Sequence, residues 1–143
     1  MLGIKPYLSF NGNCEEAMSH YMEALGGETM FIQRYGESPM PSEGIENLVM
    51  HMTIKAGDSL IMASDCPPNM PSEPGTNTSL AIGIDDAEEA ERIFAKLSEG
   101  GTVTMPIQET FWAKRFGMMI DRYGINWMVN CEKPRGEMAD VAD

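Results

Sequence analysis

Several features are scarce in this chain, and each scarcity argues against a class of protein. Only 10 residues are Lys or Arg, against 22 Asp and Glu, so the formal net charge is −12. A field of that sign repels nucleic-acid phosphates and anionic lipid. No apolar run approaches the roughly 18 residues that a membrane-spanning helix needs, and the N-terminal stretch MLGIKPYLSF lacks the apolar segment of a signal peptide. We therefore expect a cytoplasmic protein that binds neither nucleic acid nor membrane.

Cysteine is also rare, and its spacing argues against a disulfide framework. The three cysteines, Cys14, Cys66 and Cys131, lie far apart and form no CxxC pair. Reduced thiols are the expectation for such a pattern in a cytosolic protein. Cys14 falls at a predicted helix start, but the neighbouring Glu15 and Glu16 oppose the thiolate form that a catalytic cysteine needs.

An internal repeat organises the 143 residues. The segments NCEEAMSHYMEALGG (13–27) and DAEEAERIFAKLSEGG (86–101) align at an offset of 73. Each begins with a possible capping residue followed three positions later by Glu, and each ends in Gly-Gly, as helices often do. Apolar residues recur at helical spacing in both, at Ala17, Tyr21, Ala24 and Leu25 and at Ala90, Ile93, Phe94 and Leu97. We predict one α-helix in each segment, with His20 on an exposed side of the first.

Short strand-like segments surround both helices in the same order. One precedes each helix and three follow it, at 5–10, 28–35, 47–54 and 59–64 in the first half and at 79–84, 102–106, 116–121 and 126–131 in the second. This order predicts an α+β fold built from two βαβββ modules, about 4–65 and 78–132, within a single domain 1–132. The Pro-, Asn- and Gly-rich segment 66–77 is the predicted linker, and 133–143 is a polar tail predicted to be disordered or a short arm.

The candidate hairpin turn Gly57-Asp58 predicts which side chains share a face. It pairs Lys55 with Leu60, Thr53 with Met62 and His51 with Ser64. Because side chains alternate along strands, one face is uniformly apolar and should pack under the helices: Met50, Met52, Ile54, Ile61 and Ala63. The other face is mixed, as in a ligand pocket: Val49, His51, Thr53, Leu60, Met62 and Ser64.

A βαβββ repeat with DRYG before its last strand resembles the vicinal-oxygen-chelate superfamily, which includes glyoxalases and bleomycin-resistance proteins. The resemblance is closest to its PhnB-like branch, often labelled a demethylubiquinone methyltransferase, and rests on PYLSFNGNCEEA (6–17), YMEALGG (21–27), LIMASD (60–65) and ETFWAKRFG…DRYGINWMVN (109–130). It implies two modules forming a cupped mixed sheet with outer helices, and a homodimer. The methyltransferase label lacks sequence support, since no strand–GxGxxG–helix nucleotide fingerprint is present.

The resemblance also implies where a metal would bind. Metal-dependent members use His, Gln or Glu on the first and last strands of each module, and these positions carry over to Pro6, Met62, Ser79 and Met128. Proline has no side-chain donor, thioethers suit such cations poorly, and a serine hydroxyl is a weak ligand. We therefore predict no metal and no other cofactor.

Two clusters remain as candidates for chemistry. His51 could act as an acid/base group or hydrogen-bond donor, or it could be structural. The loop QETFWAKRFG (108–117) could supply aromatic walls and an acid, or merely cover the fold, whereas Trp127 is expected in the core. The catalytic candidates are His51 and Glu109, and the predicted ligand pocket comprises His51, Thr53, Met62, Ser64, Ser79, Phe111, Trp112, Arg115 and Met128.

Three functions follow from these features. The first is binding of a small organic ligand without the superfamily metal, with or without a reaction. The second is an enzyme, either a glyoxalase- or dioxygenase-like lyase or another metalloenzyme with an atypical site. The third is a dimeric domain that acts through protein contacts. The sequence leaves the ligand and the existence of a reaction open.

Overall fold

The computed structural model describes residues 2–134 and divides the chain into two compact units, Met1–Glu73 and Pro74–Asp143. The boundary falls inside the predicted linker 66–77. Most of the predicted tail, residues 135–143, lies outside the described residues. No helix within residues 2–134 is long and apolar enough to cross a membrane.

Each unit is a four-stranded mixed sheet with one helix packed against it, so the predicted α+β class and the βαβββ order are confirmed. The first unit contains β1 (Tyr7–Phe10), α1 (Cys14–Leu25), β2 (Glu28–Arg34), a 3₁₀ turn (Tyr35–Glu37), β3 (Val49–Ala56) and β4 (Ser59–Asp65). The second contains β5 (Leu80–Gly83), α2 (Ala87–Ser98), β6 (Thr102–Gln108), β7 (Ala113–Ile120) and β8 (Asn126–Glu132). The strand orders correspond, β1-β4-β3-β2 and β5-β8-β7-β6, with β1 and β5 parallel to their neighbours.

The two helices bury the faces that their periodicity predicts, except that Leu25 of α1 is half-buried and that His20 differs from its prediction. All four predicted residues of α2 are in the core, as are Ala17, Tyr21 and Ala24 of α1. His20 was expected to be exposed, but it is buried with 7% of its surface accessible. It lies three residues after Ala17 and four before Ala24, so it belongs to the same apolar stripe of the helix.

The ends of the helices confirm one predicted cap and correct the other. Asp86 caps α2 by accepting a hydrogen bond from the backbone N–H of Glu88, whereas Asn13 makes no side-chain cap bond to α1. After the helices, Gly26 and Gly100 adopt left-handed φ angles of 74° and 75°, a conformation that glycine permits at little cost.

The predicted hairpin has the expected register, and the predicted faces hold except at its far end. Thr53 pairs with Met62 and Lys55 with Leu60, and the predicted core residues Met52, Ile54, Ile61 and Ala63 are buried. Val49 is also buried, at 1% accessible, and Met50 is half-buried. The ladder with β2 shifts between His51 and Val49, so Met50 forms a β-bulge that reverses the alternation.

Asp65, at the end of β4, replaces Asn13 as the acceptor at the start of α1. Its carboxylate is only 2% accessible. Oδ1 accepts from the backbone N–H groups of Gly12 and Cys14, both at 2.9 Å, and Oδ2 accepts from that of Val49 at 2.8 Å. One side chain therefore ties the β1–α1 turn and the start of β3 to the end of β4.

Asp121 has a comparable structural role in the DRYG turn. It is 3% accessible; its Oδ1 accepts from the backbone N–H groups of Tyr123 and Ile125 at 2.8 and 3.0 Å, and its Oδ2 accepts from Trp127 Nε1 at 2.9 Å. Gly124 completes the turn with φ +88°. Trp127 is 2% accessible, as its predicted core position requires. The DRYG motif, which carries part of the resemblance, therefore stabilises the turn of the β7–β8 hairpin.

The environment of Cys14 makes a pH dependence of stability expected. Burial, then the Asp65 and Glu15 carboxylates, raise the pKa of its thiol from 9.0 to about 12, which agrees with the expectation against a thiolate. The folded protein therefore retains this proton while an unfolded chain loses it, so stability should fall as pH rises from about 9 toward about 12. The slope from this group is at most about 1.4 kcal/mol per pH unit.

Urea unfolding between pH 7 and pH 10 measures this slope. Cys14→Ala should flatten it relative to the unmodified chain, and Cys66→Ala, at a half-buried cysteine, serves as the matched control. Equal slopes in the three proteins would contradict the prediction.

Candidate functional site

His51, the leading sequence candidate, lies on β3 with both ring nitrogens close to hydroxyl groups. Nδ1 is 3.2 Å from the phenol oxygen of Tyr7 on β1, and Nε2 is 3.2 Å from Oγ1 of Thr53. The side chain is half-buried. Tyr7, His51 and Thr53 therefore form a hydrogen-bonded series, hereafter the Tyr7–His51–Thr53 row.

Two aromatic rings lie close to the imidazole. The Tyr7 ring centroid is 5.7 Å from that of His51, and the Phe31 centroid is 5.8 Å from it. Tyr7 and Phe31 each leave 49% of their surface accessible. Two exposed apolar rings beside the same polar group form the kind of adjacent apolar surface that marks interaction sites.

The other predicted residues of the first unit share this face. Met62 pairs with Tyr7 on one side and Thr53 on the other, and Thr53 pairs with Phe31. Since residues paired across a sheet project to the same side, these side chains and His51 occupy one surface, as does Ser64 two residues beyond Met62. We call this surface the first-unit face: Tyr7, Phe31, His51, Thr53, Met62 and Ser64.

The predicted residues of the second unit divide between different places. Met128 pairs with Met118 and with Ala81. Trp112 contacts two aromatic rings, with centroid distances of 4.7 Å to Phe111 and 5.3 Å to Phe116. Ser79 is exposed just before β5.

Arg115 and Glu109 are both engaged in ion pairs. Arg115 Nε lies 3.2 Å from Glu91 Oε1 on α2, and Arg115 pairs with the buried Cys131. This places Arg115 on the helix side of the sheet, away from the side that Met128 occupies, because Cys131 and Met128 are three residues apart on β8. Glu109 Oε2 lies 3.1 Å from Lys133 Nζ, which gives the first residue of the predicted tail a fixed contact.

The predicted loop 108–117 is shorter than expected. β6 continues through Gln108 and β7 begins at Ala113, so only residues 109–112 connect the strands. Thr110 closes this connection by accepting from the Ala113 backbone N–H through Oγ1 and donating its own N–H to the Ala113 carbonyl. Strand β7 extends into the predicted loop because it pairs with β8 as far as Ala113, which lies opposite Glu132.

The strand pairing also changes which residues occupy the positions of the superfamily's metal ligands. Met62 pairs with Tyr7 and Met128 pairs with Ala81, so the first strands correspond at an offset of 74, not 73. The extra residue lies in the β1–α1 connection, where Gly12 has φ +103°. Alternation from Tyr7 directs Pro6 to the opposite side from Met62.

The residues at these positions do not fit a superfamily metal. Tyr7, Ala81 and two methionine thioethers are not the nitrogen and carboxylate donors that divalent cations of this kind prefer. Within residues 2–134, no group of three or more His, Cys, Asp or Glu side chains is arranged to hold a metal ion. Freedom from metal remains a prediction.

Sequence reasoning missed Tyr7 and Phe31 as partners of His51. Tyr7 was counted only within a short strand, and Phe31 only within the next. The signal that could have found them is the strand order β1-β4-β3-β2 combined with the Thr53–Met62 hairpin register, which places both rings on the same face as His51.

Comparison with known proteins agrees with this architecture. The chain matches a family described as 3-demethylubiquinone-9 3-methyltransferase over residues 3–130. It is 34% identical to protein YjdN of Escherichia coli (strain K12), over 91% of this chain and 95% of that protein. Among solved structures, protein PA1353 from Pseudomonas aeruginosa is 46% identical, with a TM-score of 0.87 over 94% of this chain and 100% of that one.

Two further structures connect the family with the wider fold. The PhnB protein from Bacillus cereus is 30% identical, with a TM-score of 0.75 over 90% of this chain and 98% of that one. A glyoxylase/bleomycin resistance protein/dioxygenase domain from Frankia sp. EAN1pec is 13% identical, with a TM-score of 0.66 over 93% and 99% of the two chains, and shows the fold alone. With a family match across nearly all its described residues, this chain belongs to the PhnB-like family and has the glyoxalase/bleomycin-resistance fold.

Proposed function

We propose that this protein binds a small organic ligand on the first-unit face without the superfamily metal. The observation that carries the proposal is the placement of His51 between two half-exposed aromatic rings, with both ring nitrogens bonded to hydroxyls. Apolar and aromatic surface with a few placed polar groups is what small-molecule sites offer. His51 supplies hydrogen bonding there, and Tyr7 and Phe31 supply contact area.

The hydrogen bonds of His51 do not by themselves make it structural. Both of its partners are short-range or exposed: Thr53 lies two residues away on the same strand, and the Tyr7 ring is 49% accessible. Buried hydrogen-bonding groups such as Asp65 stabilise the fold instead. Loss of the His51 imidazole should therefore affect recognition more than folding.

A homodimer in the cytoplasm is part of the proposal. Edge strands β2 and β6 present accessible apolar side chains: Met30 at 54%, Val103 at 45% and Met105 at 37%. Exposed apolar residues on the edge strand of each sheet favour burial against another chain.

The alternative is a glyoxalase- or dioxygenase-like lyase, or another metalloenzyme with an atypical site. The observation that favours a reaction is the row itself, because a histidine bonded to a phenol can exchange protons with a substrate. A stoichiometric metal ion in protein purified without added metal would favour this alternative. Methyl transfer, which the family description names, has no nucleotide-binding fingerprint in the sequence to support it.

Native mass spectrometry of protein purified without added ligand tests the proposal. We expect a homodimer of 15.8 kDa chains without metal that retains, or takes up from a cell extract, a small organic molecule. His51→Ala should weaken retention by about 1–3 kcal/mol if the ligand group is left unpaired, and Phe31→Ala, which removes an exposed ring of the same face, should weaken it through lost apolar contact.

Lys55→Ala, at an exposed position of the same strand, is the matched control and should bind normally. If His51→Ala instead lowers the melting temperature and leaves binding unchanged, the histidine is structural. Unchanged binding in both the His51 and Phe31 variants would overturn the proposed site.

A further inference from the structure

We infer that the Tyr7–His51–Thr53 row selects an uncharged, flat ligand that carries a hydrogen-bond acceptor, such as an aryl carbonyl. This inference rests on the proposed function and names the ligand class for the same face. It follows from a count of protons in the row, from the charges around it and from the two aromatic rings.

The row has one hydrogen-bonding proton more than it uses internally. A neutral imidazole carries one N–H, and the hydroxyls of Tyr7 and Thr53 carry one O–H each, which gives three protons. The two contacts, Tyr7 to Nδ1 and Thr53 to Nε2, use two of them. One proton is therefore left to donate outside the row.

The free proton can appear at either end. If Tyr7 donates to Nδ1, the imidazole N–H is on Nε2 and bonds Thr53, whose own hydroxyl hydrogen is then free. If the N–H is on Nδ1 and bonds the Tyr7 oxygen, Thr53 donates to Nε2, and the Tyr7 hydroxyl hydrogen is free. Either hydroxyl can therefore donate to a ligand acceptor, depending on the tautomer of the histidine. Both tautomers keep the two hydrogen bonds within the row.

The residues that pair with the row across the sheet are uncharged. The residues that pair with it across the ladders are Met62, Phe31 and Gln33. On the same face, Lys55 lies at the hairpin end, two residues beyond Thr53 and opposite Glu28 in the ladder. A ligand carboxylate beside His51 would lose hydration without a cation among the residues that pair with the row, which is unfavourable.

The aromatic rings of Tyr7 and Phe31 favour a planar ligand. Tyr7 and Phe31 stand at similar distances from the imidazole, 5.7 and 5.8 Å between centroids, and are tilted from it by 34° and 47°. Both rings are half exposed, and an exposed ring can take a further aromatic ring in offset or edge-to-face contact. A planar molecule can therefore contact the rings and still present an acceptor to a hydroxyl.

Three probes of similar size separate the elements of this inference: acetophenone, which has a neutral acceptor; ethylbenzene, which has none; and benzoate, which is charged. Binding is followed by NMR of protein labelled with ¹⁵N in histidine, at a pH well above the usual range of histidine protonation. The chain has only two histidines, so buried His20 on α1 is an internal control.

We expect acetophenone to bind about five-fold more tightly than ethylbenzene, as one net hydrogen bond provides, and more tightly than benzoate. It should move the two ¹⁵N resonances of His51 in opposite directions, because binding at one hydroxyl favours one tautomer, and leave His20 unchanged. The double variant Tyr7→Phe/Thr53→Val keeps both side-chain shapes and removes both hydroxyls, so the preference should fall to what the imidazole N–H of His51 supports alone.

Equal affinity for acetophenone and ethylbenzene, with both shifting His51, would overturn the acceptor inference and leave the binding face intact. Tighter binding of benzoate would overturn the uncharged class. If no probe shifts His51 even at millimolar concentration, this inference fails, whereas the proposed function stands or falls separately on the native mass spectrometry described above.

Discussion

Replacement of Asp65 by alanine should lower the free energy of unfolding by about 3 kcal/mol or more. The substitution leaves three backbone N–H groups, those of Gly12, Cys14 and Val49, without their acceptor in a site where the carboxylate is 2% accessible. An unsatisfied buried donor costs on the order of 1–3 kcal/mol. Urea unfolding followed by circular dichroism at neutral pH measures the loss.

Two variants make this prediction specific. Asp65→Asn should also destabilise, because the carboxamide has one oxygen, and its NH₂ group would face either the Val49 N–H or those of Gly12 and Cys14. Asp58→Ala, at the exposed tip of the β3–β4 hairpin, removes the same charge without such bonds and should change stability by less than about 0.5 kcal/mol. A loss below about 1 kcal/mol for Asp65→Ala would show that these N–H groups find other acceptors.

Asp121→Ala should have an effect of similar size, about 3 kcal/mol, and should be coupled to Trp127. The carboxylate accepts from two backbone N–H groups of the DRYG turn and from the indole N–H. Trp127→Phe keeps much of the apolar volume and removes the indole donor, so its cost should be smaller. In the double variant the two losses should not add, because deletion of Asp121 already removes the acceptor of the indole.

The double-mutant cycle is measured by urea unfolding of the four proteins. Simple additivity within about 0.5 kcal/mol would show that the Trp127–Asp121 bond contributes nothing specific. If the variants remain folded, probe binding to the first-unit face should be unchanged, since Asp121 and Trp127 lie in the second unit.

Together these predictions explain two stretches by which the family is recognised. LIMASD ends in Asp65, and DRYGINW contains Asp121 and Trp127. Both aspartates accept three hydrogen bonds from nearby segments of their own unit. These two stretches therefore stabilise the fold of each unit, and they do not indicate what the protein binds.

Only part of the candidate site could be predicted from the sequence. The hairpin turn was enough to place His51, Thr53 and Met62 on one face, because a two-residue turn sets the register of both strands. Tyr7 and Phe31 joined them only through pairing of β1 with β4 and β2 with β3, one of which includes a bulge. Arg115, assigned to a pocket by its loop-like neighbours, is held by Glu91 of α2 once β7 extends to Ala113.

The amino-acid sequence by itself determined the α+β class, the two βαβββ units, the apolar stripe of α2 and the β3–β4 register, because helical periodicity, strand alternation and turn chemistry act over a few residues. Only the tertiary structure decided that Asp65, in place of Asn13, serves the start of α1, and that the first strands correspond at an offset of 74. It also decided that His51 meets Tyr7 and Phe31. These features depend on contacts between segments distant in sequence, whose energies no local pattern records.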